Sequence, residues 1–225
     1  MNTLRRFLNP LIATTIAASV IPLSHASAVT GDAPNGAFST EALDGWLERS
    51  FQGNTSYELV SDGGVPVLKG HTKGQASVLY REEKIDLLKT PVINWSWKVD
   101  GTYSDIDEKA REGDDFPARL YVVAKIGFLP WETLAINYVW ASDVPLGTTW
   151  ENPFSDKAIM VAVQSGDTDV GKWSTHTRNV AEDFKTLFNR DFKEIDGYAV
   201  MVDGDNSNKE ATAWFGEIKF LPIPP

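Results

Sequence analysis

Hydrophobic and polar residues alternate with a period of two along much of this chain. Side chains of a β-strand point alternately to opposite faces, so this alternation predicts strands with one buried face. The clearest such runs are residues 93–99, 118–126, 134–140 and 212–220. Shorter runs that predict further strands are residues 57–60, 65–69, 76–80, 159–163 and 198–202, with Asp62-Gly63-Gly64 as a turn after the first of them.

One segment has a helical period instead. Val180, Phe184 and Phe188 fall on one apolar face, and Asn179 precedes them as a candidate N-cap. The pattern therefore predicts one short helix over residues 180–188. Many closely spaced strands without alternating helices favour an all-β fold, an antiparallel β-sandwich of the jelly-roll type.

The N-terminus has the pattern of a secretory signal peptide. Arg5 and Arg6 are followed by an apolar run over residues 11–23 and by the small-x-small sequence Ala26-Ser27-Ala28. We expect cleavage before Val29, which leaves residues 29–225 as a single β-sandwich domain. The apolar run is shorter than the roughly 20 residues that a membrane anchor needs. The sequence therefore predicts a periplasmic or secreted protein without a membrane anchor.

Composition narrows the possible partners. The formal net charge of −10 becomes −12 without Arg5 and Arg6, because residues 1–28 contain no acid. Such an acidic chain repels nucleic acid and anionic membranes. The absence of cysteine excludes disulfides and a cysteine nucleophile, and only His71 and His176 lie after the predicted cleavage site. This composition disfavours zinc and is compatible with Ca²⁺.

Polar residues and tryptophans beside the predicted strands are candidates for a ligand site. Arg119 lies opposite the apolar face of its strand, where its guanidinium suits a carboxylate of a ligand or of the protein. Tryptophans flanking the loop around residue 145 suit a groove wall, whereas Trp95 and Trp97 share an alternating face that predicts core. The predicted ligand-binding set is Asp115, Arg119, Asn137, Trp140, Trp150 and Arg178. The structural alternatives are turn capping for the aspartate and salt bridges for the arginines.

A second acidic segment is a candidate cation site. Asp203, Asp205 and Asn206 place several oxygen atoms within a few residues, and such hard ligands select Ca²⁺. The following residues depart from the helix-loop-helix calcium motif, since Asn208 replaces its glycine and Trp214 its final glutamate. Both readings stay open: a Ca²⁺ site, or a hairpin loop closed by backbone hydrogen bonds.

Five motifs occur together in the order of a known family. They are residues 95–99 (WSWKV), 113–119 (GDDFPAR), 137–140 (NYVW), 178–180 (RNV) and 203–206 (DGDN). As a set they resemble a family of exported bacterial proteins known only as a domain of unknown function. This resemblance implies one exported domain and supplies no activity. The closing AWFGEI sequence over residues 213–218 resembles the last strand of many carbohydrate-binding jelly rolls.

Three functions are compatible with these features. The leading prediction is an exported protein that binds a glycan without catalysis, at the predicted ligand-binding set. The first alternative is a glycan hydrolase or lyase that uses Asp114, Asp115 or Asp205 as acid and base. It lacks a recognisable motif, since the sequence has neither a Gly-x-Ser-x-Gly elbow nor the Glu-x-Asp-x-Glu strand that secreted sandwich glycosidases use. The second alternative is a structural module associated with the cell envelope.

Overall fold

The computed structural model describes residues 29–31, 38, 43–129 and 132–224, so the predicted signal peptide lies outside the described residues. Two seven-stranded β-sheets account for most of this part of the chain. The elements are β1 (Val29–Gly31), β2 (Leu47–Gln52), β3 (Ser56–Asp62), β4 (Val65–Lys73), β5 (Ala76–Asp86), β6 (Val92–Val99), β7 (Ala118–Lys125), β8 (Thr133–Ala141), β9 (Thr149–Asn152), β10 (Ser155–Ser165), β11 (Trp173–Asn179), α1 (Val180–Phe188), β12 (Glu194–Met201), β13 (Glu210–Phe215) and β14 (Lys219–Leu221).

The sheet topology confirms the predicted sandwich and adds one irregular pairing. The first sheet has the order β1-β11-β6-β13-β4-β3, with β14 also paired to β6, and the second has the order β2-β5-β12-β7-β8-β10-β9. Neighbouring strands run antiparallel except β8 and β10, which run parallel. Parallel neighbours need a connection longer than a hairpin. Residues 142–148 and β9 supply it at one end of the second sheet.

The main core lies between the two sheets, where the alternation predicted it. Trp95 and Trp97 on β6 face Tyr138 and Trp140 on β8, and all four side chains are fully buried. Burying an aliphatic or aromatic side chain of this kind contributes about 2–3 kcal/mol each, which makes this aromatic layer a major source of stability. Further members of this core come from other strands of both sheets and from α1, including Leu120 on β7, Val200 on β12 and Phe184 on α1.

A smaller apolar cluster lies on the outer face of the second sheet. It consists of Phe116, Val139, Ala141, Val144, Met160 and Ala162, with Trp150 packed against it. The segment before β7 and the connection after β8 therefore cover one end of this face. The rest of the face, over β2, β5, β12 and β7, has no covering element among the described residues, and this arrangement creates a groove.

The predicted helix is present with the predicted bounds. The Asn179 Oδ1 atom accepts a hydrogen bond of 3.2 Å from the backbone amide of Glu182, which confirms Asn179 as the N-cap. The left-handed conformation of Asn189 ends the helix. None of the helices in the described residues is long and apolar enough to span a membrane.

Two parts of the strand pattern differ from the prediction. The run over residues 212–220 is not one strand, because the Gly216 amide donates to the Ser96 carbonyl and the chain then pairs with β6 further along as β14. The pattern also missed β1, β2 and β9, and in β2 all six residues are exposed. A strand without a buried face has no hydrophobic alternation to detect.

Candidate functional site

A polar pocket of about 390 Å³ lies on the outer face of the second sheet. It forms where the segment before β7, the hairpin loop after β12 and the end of β2 meet above β7 and β8. We call this the polar pocket throughout. Its lining residues are Phe51, Ala76, Asp114, Arg119, Tyr121, Asn137, Asn152, Phe154, Ala158, Met201, Asp203, Asp205 and Asn206.

Arg119 lies buried at the base of the polar pocket and is fully engaged by the protein. Its Nε atom donates to Asp203 Oδ1 at 2.7 Å, and its Nη2 atom donates to the second oxygen of the same carboxylate and to the Asp114 carbonyl. The guanidinium also lies over the Phe116 ring, 4.6 Å from its centre. A buried pair of this kind fixes geometry, since removing either partner would strand a buried charge. The salt-bridge interpretation of Arg119 is therefore confirmed.

Asp115 closes the hairpin loop that follows β12. Its Oδ1 atom accepts hydrogen bonds from the backbone and side-chain amides of Asn206, at 3.2 and 3.1 Å. Its Oδ2 atom accepts from the backbone amide of Ser207 at 2.6 Å and from the Ser207 hydroxyl. An ionised carboxylate offers about four lone-pair sites, so these four donors fill it. Asp115 therefore holds the hairpin loop in place and has no free acceptor for a ligand.

Two acceptors in the polar pocket remain open. Asn137 is only 2% exposed, and its Oδ1 atom has no hydrogen-bond partner within the described part of the chain. Asp205 is half-buried, and the hydrogen bond recorded for its carboxylate is a long one of 3.4 Å from the Asn206 side chain. A buried polar atom without a partner costs about 1–3 kcal/mol, so a ligand that supplies donors here recovers that cost.

Carboxylates outnumber cations around the pocket, and this excess affects their ionisation. Burial is the largest cause that raises the pKa of Asp114, Asp203 and Asp205, and neighbouring carboxylates raise it further. Arg119 opposes the shift at each of the three. Raised carboxyl pKa values in a concave site are a common feature of functional sites.

Half of the predicted ligand-binding set lies elsewhere. Trp140 is fully buried in the main core, where its indole N–H donates to the Gly166 carbonyl at 3.1 Å. Trp150 packs against Phe116 in the smaller cluster, with ring centres 6.1 Å apart. These positions correct the prediction that the six side chains share one concave surface. Trp140 belongs to the same alternation as Ile136 and Tyr138, so the sequence pattern already assigned it to the core face.

Arg178 is also separated from the pocket. It lies near the end of β11, on the first sheet, and forms a two-pronged salt bridge with Asp183 in the first turn of α1. Tyr138 donates to the same carboxylate at 2.7 Å. This buried network joins the helix to both sheets, so the structural alternative again describes the arginine correctly.

The predicted Ca²⁺ ligands do not act as one set. Asn206 uses its amide groups as donors to Asp115, and Asp203 accepts from Arg119 and from the backbone amide of Phe116. One oxygen atom from each of Asp115, Asp203 and Asp205 does lie within 4.8 Å of the others. Most of their lone pairs already accept hydrogen bonds, so the hairpin loop is closed by protein donors.

Sequence analysis did not identify several of the residues that line the polar pocket. Tyr121 shares the outward face of β7 with Arg119, and the alternation of residues 118–126 could have identified it. Phe51 lies on the exposed strand β2, which has no hydrophobic alternation. A second hollow of about 510 Å³ adjoins the polar pocket, and Phe51 and Tyr121 line both. The hollow and the polar pocket together make a groove across β2, β5, β12, β7 and β8.

His176, a candidate base in the sequence, cannot serve the groove. It is buried between the sheets, with its ring centre 5.2 Å from those of Trp95 and Trp97. Burial, and secondarily the positive charge of the nearby Arg178, lower its pKa to about 3. The imidazole is therefore neutral and enclosed in the core.

The two stacked sheets define the class of protein, an antiparallel β-sandwich of the jelly-roll type with one short helix. The chain belongs to the DUF3047 family, proteins of unknown function, whose model matches residues 44–219. This match confirms the sequence resemblance to a family of unknown function, and the matched range includes every residue that lines the polar pocket. No curated protein matches the sequence.

The search of solved structures found similar chains at low identity. The enzymatically active domain of tailspike protein 4 from bacteriophage CBA120 is 8% identical with a TM-score of 0.42, over 84% of this chain and 21% of the tailspike chain. A carbohydrate-binding module of the β-sandwich superfamily is 16% identical with a TM-score of 0.40, over 85% of this chain and 63% of the module's chain. Metal-free lectin I-B4 from Griffonia simplicifolia is 11% identical with a TM-score of 0.38, over 86% of this chain and 100% of the lectin chain.

Proposed function

We propose that this protein is exported and binds a glycan, without turning it over, in the groove on the outer face of the second sheet. The observation that carries the proposal is the combination of aromatic rings and open acceptors in one groove. Phe51 and Tyr121 line both the polar pocket and the adjoining hollow. Asn137, whose Oδ1 atom has no partner among the described residues, lines the polar pocket. Pockets that bind small ligands typically combine apolar walls with a few convergent polar groups.

The chemistry of a sugar ring suits this combination. A pyranose has an apolar face of C–H groups that packs against an aromatic ring, and a rim of hydroxyls that donate hydrogen bonds. Phe51 is 58% exposed and available for such stacking. Hydroxyl donors from the ligand would satisfy Asn137 and Asp205, and the buried acceptor penalises any occupant that lacks donors.

Glycan binding is tested by array screening of the purified protein, followed by calorimetry with the best ligand. We expect Phe51→Ala to weaken binding about tenfold, because the stacking surface is lost. The matched control is Phe128→Ala, which removes another exposed phenylalanine outside the groove and should leave affinity unchanged. Equal loss in both variants, or no binding to any glycan, would contradict the proposal.

A glycan hydrolase or lyase is the second candidate, and the raised pKa values of Asp114 and Asp205 favour it. A carboxyl group with a raised pKa suits a general acid at a glycosidic bond. The two functions are distinguished by incubating the protein with each bound glycan and analysing the products. If the protein shortens a glycan and Asp205→Asn abolishes this cleavage, the function is enzymatic and not binding alone. If the protein is instead a structural module of the cell envelope, we expect neither glycan binding nor glycan cleavage.

A further inference from the structure

The polar pocket carries an excess of negative charge that the protein itself leaves unbalanced. Four carboxylates, those of Asp114, Asp115, Asp203 and Asp205, surround one guanidinium, that of Arg119. Three of these acids are buried and the fourth is half-buried. Charges are poorly screened in this buried setting, so the excess negative charge interacts strongly with any charged group that enters the pocket.

The open positions in the pocket are acceptors. Four donors fill Asp115, and three occupy Asp203. The Asn152 side chain, a further donor in the lining, is held by Asp114 Oδ2 at 2.9 Å. What remains is the half-buried carboxylate of Asp205, the lone pairs of Asp114 that Arg119 and Asn152 do not occupy, and the buried Asn137 Oδ1 atom, which has no partner among the described residues. The buried unpartnered oxygen is independent of the charge count and also requires a donor.

We infer that the polar pocket recognises a protonated amino group, such as that of a 2-amino sugar unit within the bound glycan. This inference rests on the proposed glycan-binding function and names the class of sugar. An ammonium group supplies three donors and one positive charge, which meets both the open acceptors and the charge excess. A uronate or sulfated sugar would place a further negative charge beside Asp205.

A calcium ion fits the same pocket less well. Ca²⁺ requires six to eight oxygen ligands, but Asp115 has no open lone pair and Asp203 has at most one. Coordination at these residues would break the salt bridge to Arg119 or open the hairpin loop. An ammonium group needs only acceptors that are already open, on Asp205, Asp114 and Asn137.

The inference is tested with an oligomer of β-1,4-linked glucosamine and the N-acetylated oligomer of the same length, by calorimetry at pH 6 and low salt. We expect the free amine to bind about tenfold more tightly than the acetylated form. Asp205→Asn should remove that preference, so that the variant binds the two oligomers with equal affinity. The matched control is Asp143→Asn, an exposed acid outside the pocket lining, which should keep the preference.

The outcomes separate the two claims. Equal affinity for the two oligomers, or binding of only a neutral or acidic glycan, would overturn the amine recognition and leave glycan binding standing. A preference that survives Asp205→Asn would also overturn it, since the charge would then come from elsewhere. Absence of binding to every glycan would overturn the proposed function itself. Equal melting temperatures of the variants and the wild type confirm that each comparison concerns folded protein.

Discussion

At the scale of single residues, the buried arginines and the buried histidine of this protein have different environments. Arg119 and Arg178 are each neutralised by an aspartate within hydrogen-bond distance. His176 is different, because it lies in the aromatic core and its Nε2 atom has no hydrogen-bond partner among the described residues. A charged imidazole would be unsatisfied there, so the folded protein holds this group neutral.

This environment predicts a pH dependence of stability. The pKa of His176 falls from an ordinary 6.5 to about 3 on folding, so the unfolded state binds more protons between these values. The stabilising effect is fully present above pH 6.5 and is lost as the pH falls towards 3. At pH 5 the loss is about 2 kcal/mol of unfolding free energy relative to pH 8.

Urea unfolding of the wild type and of His176→Phe at pH 8 and pH 5 measures this effect. Phenylalanine retains an aromatic ring in the layer and cannot take a proton, so the variant should lose about 2 kcal/mol less on acidification than the wild type. His71 is half-buried on β4 and lies outside the aromatic core, so His71→Phe provides the control and should keep the wild-type difference. Identical pH dependence in wild type and His176→Phe would show that the buried imidazole does not control it.

At the scale of elements, a buried glutamate holds the connection that follows β8. Glu108 Oε1 accepts from the Ser142 amide at 2.6 Å, and Oε2 accepts from the Asp143 and Val144 amides at 3.1 and 2.9 Å. The glutamate lies before β7, so these bonds tie together the two segments that cover the outer face of the second sheet. The end of the groove depends on their position.

We therefore expect Glu108→Ala to destabilise the protein by about 3 kcal/mol, since it leaves three amides without their charged partner. Limited proteolysis should cut the variant faster between residues 142 and 148 than the wild type. Glu112→Ala, an exposed position in the same segment, is the control and should change neither property. Unchanged protease sensitivity in Glu108→Ala would mean that other contacts position the connection.

At the scale of the whole molecule, export is a prediction of the first 28 residues. The sequence Ala26-Ser27-Ala28 places the expected cleavage before Val29. N-terminal sequencing of the protein from the periplasmic fraction of a bacterial host should therefore give Val29 as the first residue. Replacing Ala26 and Ala28 with arginine should block processing, whereas Ser27→Arg should not. A cytoplasmic protein that retains Met1 would contradict export.

The sequence determined the elements that have one buried face. The alternation at Ile93–Val99 and at Ala118–Lys125 predicted two central strands, and the apolar period with Asn179 predicted the helix. These signals are local, because each residue's burial follows from its place in a strand or helix. The same signals failed for β2, which buries no face, and for the parallel pairing of β8 with β10, which joins distant segments.

Only the tertiary structure decided which polar residues meet. Asp115 and Asn206 are far apart in sequence and share two hydrogen bonds, while Trp140 and Asn137 are close in sequence and face opposite sides of the same sheet. The sequence gives each residue its chemistry and, within a strand, its side. It does not give the strand order or the loop paths, because these depend on how the two sheets bury their combined apolar area. The groove exists because the loops cover one end of the second sheet and leave the rest open.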